Sequence, residues 1–368
     1  MLFAALLFAL QDAPPAVRDL GPLLTERVAK HGMPALAALV SKGDRTIAVG
    51  VAGVRVRGGL VAVTLDDRWH IGSCTKSMTA TLTAMLVADG KIAWEATPVT
   101  IFPELAEKMD PAWKSATLAR LVSNTSGTVG DLLTVHPDLW SRFWQNDLTS
   151  VEQRQLLVRM LTALPPEKPP GTAYIYSNAG FSIAGAMLEQ VSGAAYEDLL
   201  RTRLFKPLGM KSAGFGAPGA ATDPAQADAP WGHDGRGRAI PPGPGSDNPS
   251  AITPAGRVSL TMEDWAKYAR FHLRGARADQ PELGKDSFAR LHEPSPESGG
   301  AHYAMGWIAG ASGKPALRLL GHSGSNTMWY TVIWLVPELD LAILTACNDG
   351  AAGPAMEKLT ADLLAQFR

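Results

Sequence analysis

Residues 73–90 read SCTKSMTATLTAMLVADG. Met78, Leu82, Met85 and Leu86 recur at the three- and four-residue spacing of one helix face, so the stretch from Ser73 to Asp89 is predicted to be helical. Gly90 then caps it, because glycine enters the left-handed conformation without a Cβ penalty. Ser73 and Lys76, three residues apart, share one face of that helix. A serine hydroxyl is a weak nucleophile until a neighbour takes its proton. A lysine held close can do so if burial or nearby positive charge lowers its pKa. The helix N-terminus adds unpaired N–H groups beside a developing oxyanion. Cys74 sits about a third of a turn away, out of register. Ser and Lys at this spacing also arise by chance, as a capping serine with a solvated lysine, so the pair needs support from elsewhere in the chain.

Two other clusters supply it. Tyr176-Ser177-Asn178 stands just before a helix predicted over 179–192. A tyrosine near positive charge can act as base or acid, and an asparagine can orient a substrate amide. Tyr174 is a decoy, with no Asn two residues on. His322-Ser323-Gly324, followed by Ser325, leads into β-like sequence. A cationic His322 would bind a substrate carboxylate or tune the tyrosine, while a neutral one would only hydrogen-bond. Gly324 allows close backbone approach to a ligand. Taken singly, these clusters read equally well as a buried aromatic with a capping Asn, and as an ordinary turn.

Together, in this order, the three resemble the serine β-lactamase and penicillin-binding-protein superfamily, in its class C, DD-carboxypeptidase and esterase-like branch. Leu121-Val122-Ser123-Asn124-Thr125-Ser126-Gly127 is similar to that branch's L-L-S-H-T-S-G, and Pro207-Leu208-Gly209-Met210 to its P-L-G-M. Ala255-Gly256 with Ser259, Glu263 and Asp264 echoes P-A-G-G-x-x-S-T-x-x-D, and Met305-Gly306-Trp307 completes the set. The likeness runs over roughly residues 20–366. It implies that Ser73 is acylated and that Lys76 and Tyr176 share the proton work. It further implies that Asn178 holds a substrate amide, and that the N–H groups of Ser73 and Ser325 form the oxyanion hole. His322, Ser323, Gly324 and Ser325 would line the substrate strand, with no metal or organic cofactor. Asn124 stands where the branch usually has His, and Arg257 replaces the second Gly of P-A-G-G. The third motif is His-Ser-Gly rather than Lys-Thr-Gly, and no amide-binding Gln follows Gly127. These departures favour a D-amino-acid peptide or small ester over a β-lactam as substrate.

Outward from the motifs, residues 18–31 show a helical stripe of Leu20, Leu23, Leu24 and Val28. Ala35–Val40 and Thr46–Val54 read as a hairpin, as do Trp329–Val336 and Leu341–Cys347. Helices are predicted over 151–163, over 262–273 with Thr261 as N-cap, and over 354–367. The Pro/Gly-rich stretch 214–256 reads as a long connector that could line a cleft. The expected fold is α/β in the mixed α+β sense. An antiparallel sheet from both termini (residues 17–72 and 316–368) packs beside a mostly helical lobe over about 73–315, with the site between them.

The 368 residues are 46% hydrophobic and 19% charged, with net charge -1. That is an ordinary globular balance without the basic excess of a nucleic-acid binder. Two cysteines, Cys74 and Cys347, make no disulfide framework or zinc spacing and are expected as buried thiols. The apolar run Leu2–Leu10 resembles a secretory segment, giving an expected export signal over 1–16 and a periplasmic or secreted protein. The partner is expected to be a small molecule or short peptide, with oligomeric state open. Two other classes remain. A non-catalytic binder has no need of a nucleophile with two proton carriers. A metal-dependent hydrolase lacks HExxH-like spacing.

Overall fold

The computed structural model describes residues 16–145, 147–312 and 316–368; the expected export signal therefore lies outside the described residues, apart from its last position. From the N-terminus the elements are β1 (Arg18–Asp19), α1 (Gly21–His31), β2 (Ala35–Lys42), β3 (Arg45–Gly53) and β4 (Trp69–His70). A 3₁₀ turn, Gly72–Cys74, leads into α2 (Thr75–Ala88). Then follow α3 (Ser150–Thr162), α4 (Asn178–Ser192), β5 (Gly214–Phe215), β6 (Gly232–His233), β7 (Ala239–Ile240) and β8 (Val258–Leu260). The chain ends with α5 (Met262–Gly275), α6 (Lys285–His292), β9 (Ile308–Ser312), β10 (Leu317–Ser325), β11 (Tyr330–Val336), β12 (Leu341–Cys347) and α7 (Gly353–Phe367). Among the described residues no helix is long and apolar enough to cross a membrane.

The main sheet has the order β1-β3-β2-β12-β11-β10-β9. Its pairings are antiparallel except for the short β1–β3 pair, so the sheet joins the two chain termini as expected. β2 runs two residues and β3 one residue further into their turn than the sequence pattern implied, past a bulge at Val40/Ser41. The alternation of strand side chains divides the core. Leu36, Ala38, Val40 and Ile343 meet α1 and α7 on one face. Ala37, Leu39, Ile333 and Leu344 face α2, α5 and the helical lobe on the other. Two pieces from the middle of the chain join this sheet lobe: β9 pairs with β10, and α5 packs on β2 and β12. The stretch read as a helical lobe over 73–315 is therefore divided between the two layers. Helical periodicity shows only that α5 has one apolar face, not which surface receives it.

Caps set the helix starts close to where the sequence puts them. Thr261 accepts from Asp264 N at 3.3 Å, and Thr149 forms a capping box with Glu152. Ser177 accepts from Gly180 N at 3.0 Å, which fixes the first turn of α4. A buried ion cluster ties α3 to α4: Arg154 donates to Glu189 and Glu197 at 2.6–3.0 Å and to Ser250 O at 2.9 Å. Replacing Arg154 by Met would leave two carboxylates buried without their cation. An expected loss of about 3–5 kcal/mol in urea unfolding follows. A loss below about 1 kcal/mol would show the cluster to be solvated instead.

The connector 214–256 is not structureless. It holds β5, β6 and β7, and it contributes the buried residues His233, Ser246 and Asp247.

Candidate active site

The segment before α2 bends sharply at Gly72, which has φ +48°. Any side chain there would collide: a Cβ would lie 2.4 Å from Ser325 N and 2.8 Å from the Gly324 carbonyl carbon. Gly324 is constrained from the other side, since its Cβ would lie 2.0 Å from Ile71 O. Two glycines thus let the Ser73 turn and β10 touch backbone to backbone. β9 pairs with β10 only as far as Gly321, so residues 322–325 have no strand neighbour on that side among the described residues. Ser73 therefore lies in a 3₁₀ turn before α2, not in the α-helix itself. The i,i+3 relation survives, because side chains three apart eclipse in a 3₁₀ turn.

Lys76 is fully buried. Its Nζ donates to Ser73 Oγ at 3.0 Å, Asn178 Oδ1 at 2.6 Å and Ala255 O at 3.0 Å. It also lies 4.6 Å from the centroid of the Tyr176 ring, a cation–π approach. Burial lowers its pKa to about 7, so near neutral pH the amine spends much of its time unprotonated. An unprotonated amine donates only two hydrogens. If Asn178 Oδ1 and Ala255 O take those, the lone pair faces Ser73 Oγ.

Tyr176 lines the opening and is 37% exposed. Burial of its hydroxyl raises its pKa well above the ordinary tyrosine value, against the lowering effect of the Ser73 hydroxyl. It is therefore a phenol, which fits the acid of the two roles open to a tyrosine there. Its segment is pinned by Asn124, which sits at φ +60°. Asn124 Oδ1 accepts from Ser177 N at 3.0 Å and its carbonyl from Ile175 N at 2.8 Å. Asparagine tolerates the left-handed region better than most side chains.

The third cluster departs in two ways from the reading with a cationic His322. His322 is buried, and burial with the nearby Lys76 charge pushes its pKa down to about 4. It is neutral at ordinary pH and is not a cation for a substrate carboxylate. Its Nε2 lies 3.2 Å from the hydroxyl of the fully buried Tyr303, and its Nδ1 faces Ser323 O. Ser323 is the second departure. Strand alternation turns its side chain to the opposite sheet face from His322, beside Tyr330 and Glu357 of α7. Ser323 reaches the site only through its backbone.

The structure thus brings together Ser73, Lys76, Tyr176, Asn178, His322 and the backbone at Gly324–Ser325. Tyr174 stays outside this hydrogen-bonded set, its ring against Tyr303 at 5.5 Å between centroids. Cys74 is buried, with Sγ 3.5 Å from His322 O, and burial pushes its thiol up to about 12, which makes it a poor nucleophile. Cys347 is likewise a free, buried thiol. Sequence reading missed Tyr303 and the carbonyl of Ala255. The first stands two residues before Met305-Gly306-Trp307 with nothing to mark it, and a main-chain acceptor leaves no trace in residue type.

Known proteins are similar along nearly the whole chain. The Beta-lactamase family model matches residues 21–367. "Penicillin-binding protein 4" of Amycolatopsis lactamdurans is 28% identical over 355 residues, covering 92% of this chain and 87% of its own. "Beta-lactamase" of Escherichia coli (strain K12) is 24% identical over 322 residues, covering 80% and 78%. Among solved structures, SurE with D-Leu superposes with a TM-score of 0.73 at 22% identity, covering 94% of this chain and 74% of that one.

Proposed function

Because the chain belongs to the Beta-lactamase family of serine hydrolases, we propose that it transfers an acyl group to Ser73 and then to water, with a small ester or a D-amino-acid peptide as substrate. The observation that carries this reading is the buried Lys76, held by three acceptors with Ser73 Oγ as one of them. In the first step Ser73 Oγ bonds to the substrate carbonyl carbon and its proton passes to Lys76 Nζ. The carbonyl oxygen, now an oxyanion, faces the N–H groups of Ser73 and Ser325. As the intermediate collapses, the bond to the leaving alkoxide or amine breaks, and Lys76 returns the proton to it, directly or through the Tyr176 hydroxyl, which gives its own proton and takes the one from Lys76. Water then repeats the sequence on the acyl-serine, releasing the acid and restoring Ser73. Asn178 orients both Lys76 and the substrate amide. A binder without chemistry has no use for a lysine buried against a serine at a cost of several kcal/mol.

The neutral His322 bears on substrate choice. With no cation at the third motif, a free substrate carboxylate gains no charge-assisted bond there. Esters and uncharged acyl groups fit the cleft better than carboxylate-terminated peptides. A panel of a p-nitrophenyl ester, a D-Ala-D-Ala peptide and a chromogenic cephalosporin tests this. We expect ester hydrolysis to dominate. His322 should add no step to the peptide KM between pH 6 and 8, because it protonates only near pH 4, whereas Lys76 loses its charge near 7. A climb across that window that the ester lacks and that His322→Lys abolishes would restore a charged His322. Cephalosporin turnover at kcat/KM of about 10⁴ M⁻¹s⁻¹ or more, with weak ester activity, would favour a β-lactamase instead.

A further inference from the structure

A second buried polar cluster adjoins the nucleophile turn and has no part in the proton transfers above. His70 is fully buried, with its ring stacked on Trp329 at 5.5 Å between centroids. Gly72 N–H donates to His70 Nδ1 at 3.1 Å. That nitrogen is therefore the acceptor, and Nε2 carries the hydrogen that goes to Asp247 Oδ1 at 2.9 Å. Asp247 also accepts from Asn248 N at 2.7 Å, Ala217 N at 3.1 Å and Arg257 Nε at 2.9 Å. Burial alone would raise its carboxyl pKa, but His70, Arg257 and the Asn248 N–H together hold it below the ordinary value. Four donors around one buried carboxylate leave His70 no partner that would favour the other tautomer.

We propose that Asp247 and His70 are positioning residues for Ser73. Asp247 fixes the imidazole with Nδ1 as acceptor, and Nδ1 fixes the Ile71–Gly72 peptide, so that Ser73 meets the Ser325 N–H in the orientation acylation needs. Gly72 is where such control matters. Its φ is +48°, and it touches β10 backbone to backbone, so a rotation of the preceding peptide would move Ser73 against that strand. Arg257, the residue that replaces a glycine of the related segment, anchors the outer end of the relay. The proposal rests on Ser73 as the acylated residue.

The test compares His70→Asn with His70→Gln. Asparagine carries its amide close to the position of Nδ1 and can present Oδ1 to the Gly72 N–H. Glutamine reaches instead toward Asp247 and leaves that N–H without an acceptor. For a p-nitrophenyl ester, kcat should fall about 10-fold or more in His70→Gln with KM nearly unchanged, and about 3-fold or less in His70→Asn. Hydrogen exchange at the Gly72 amide should be slow in the wild type and in His70→Asn, and fast in His70→Gln. Equal kcat losses in the two variants, a loss confined to KM, or unchanged Gly72 protection in His70→Gln would overturn the relay. If the core variants do not fold, Arg257→Gln at the solvent edge decides the matter. A kcat drop of about 3-fold with faster Gly72 exchange is expected, and no change in either would overturn it. A wild type that a fluorophosphonate does not label at Ser73 would sink the acyl-serine reading separately, and Gly72 exchange would still decide the relay.

Discussion

Ser73→Ala is expected to abolish labelling by a fluorophosphonate and to lower kcat for an aryl ester by at least about 10³. The size of the effect follows from what remains. Without Oγ, the oxyanion donors and the binding surface persist, and they supply only the residual rate that a site without its nucleophile retains. The neighbouring Cys74 is a poor substitute, because it is buried with its Sγ against His322 O and Thr331 Oγ1. With its thiol pushed up to about 12, it is almost wholly protonated at neutral pH. The measurement is mass spectrometry of the labelled peptide, alongside steady-state rates. Adduct on Cys74, or a Ser73→Ala protein within about 10-fold of wild type, would defeat the assignment.

Lys76 should produce a loss of similar size, and a pH signature. Burial brings its pKa to about 7, and only the unprotonated amine can accept the Ser73 proton. The acylation rate should therefore rise with pH through about 7 and level off above it. Lys76→Met should lose about 10³ in rate and the rising limb with it. Lys76→Arg should fare no better, because a guanidinium stays protonated and has no lone pair to offer. Tyr176→Phe should cost less alone. The double variant Lys76→Met/Tyr176→Phe should be little worse than Lys76→Met, since groups that act as one proton path give non-additive losses. Multiplying losses would mean that Tyr176 shapes the cleft but carries no proton. A rising limb that survives in Lys76→Met would assign it to another group. Tyr174→Phe is the control and should leave the rate near wild type.

The sign of the His322 shift also has a consequence for stability. Its folded pKa of about 4 lies below the value of 6.5 for an unburied histidine. His292, buried beside His272, is likewise brought down to about 3. The unfolded chain therefore takes up these protons first, so their contribution is intact above about pH 6.5 and is lost as pH falls toward those folded values.

Much of the fold was legible because it rests on local signals. Thr261 marks the start of α5 through its own side chain. Short apolar runs bounded by turn residues mark β2, β3, β11 and β12, and Gly90, at φ +67°, closes α2 as its type predicts. The spacing of Ser73 and Lys76 and the Tyr176-Ser177-Asn178 run are equally local, and they pointed to one family before any distance was known.

What the chain could not state by itself is what surrounds each of these groups. Residue type says that His322 can carry a charge. Only the packing of Tyr303, Tyr176 and Lys76 around it removes the water that charge would need. The same burial converts Lys76 from a solvated cation to an amine with three fixed hydrogen-bond partners, one of them a main-chain carbonyl invisible in the sequence. Ser323 and His322 are adjacent in sequence, but the strand turns them to opposite faces. His70 and Asp247 are 177 residues apart and meet only because the connector folds back over the Ser73 turn. Spacing along the chain decides which side chains share a helix face or a strand face. Desolvation and contacts between distant segments decide their protonation and their partners, and those arise only once the sheet and the helical layer have closed on each other.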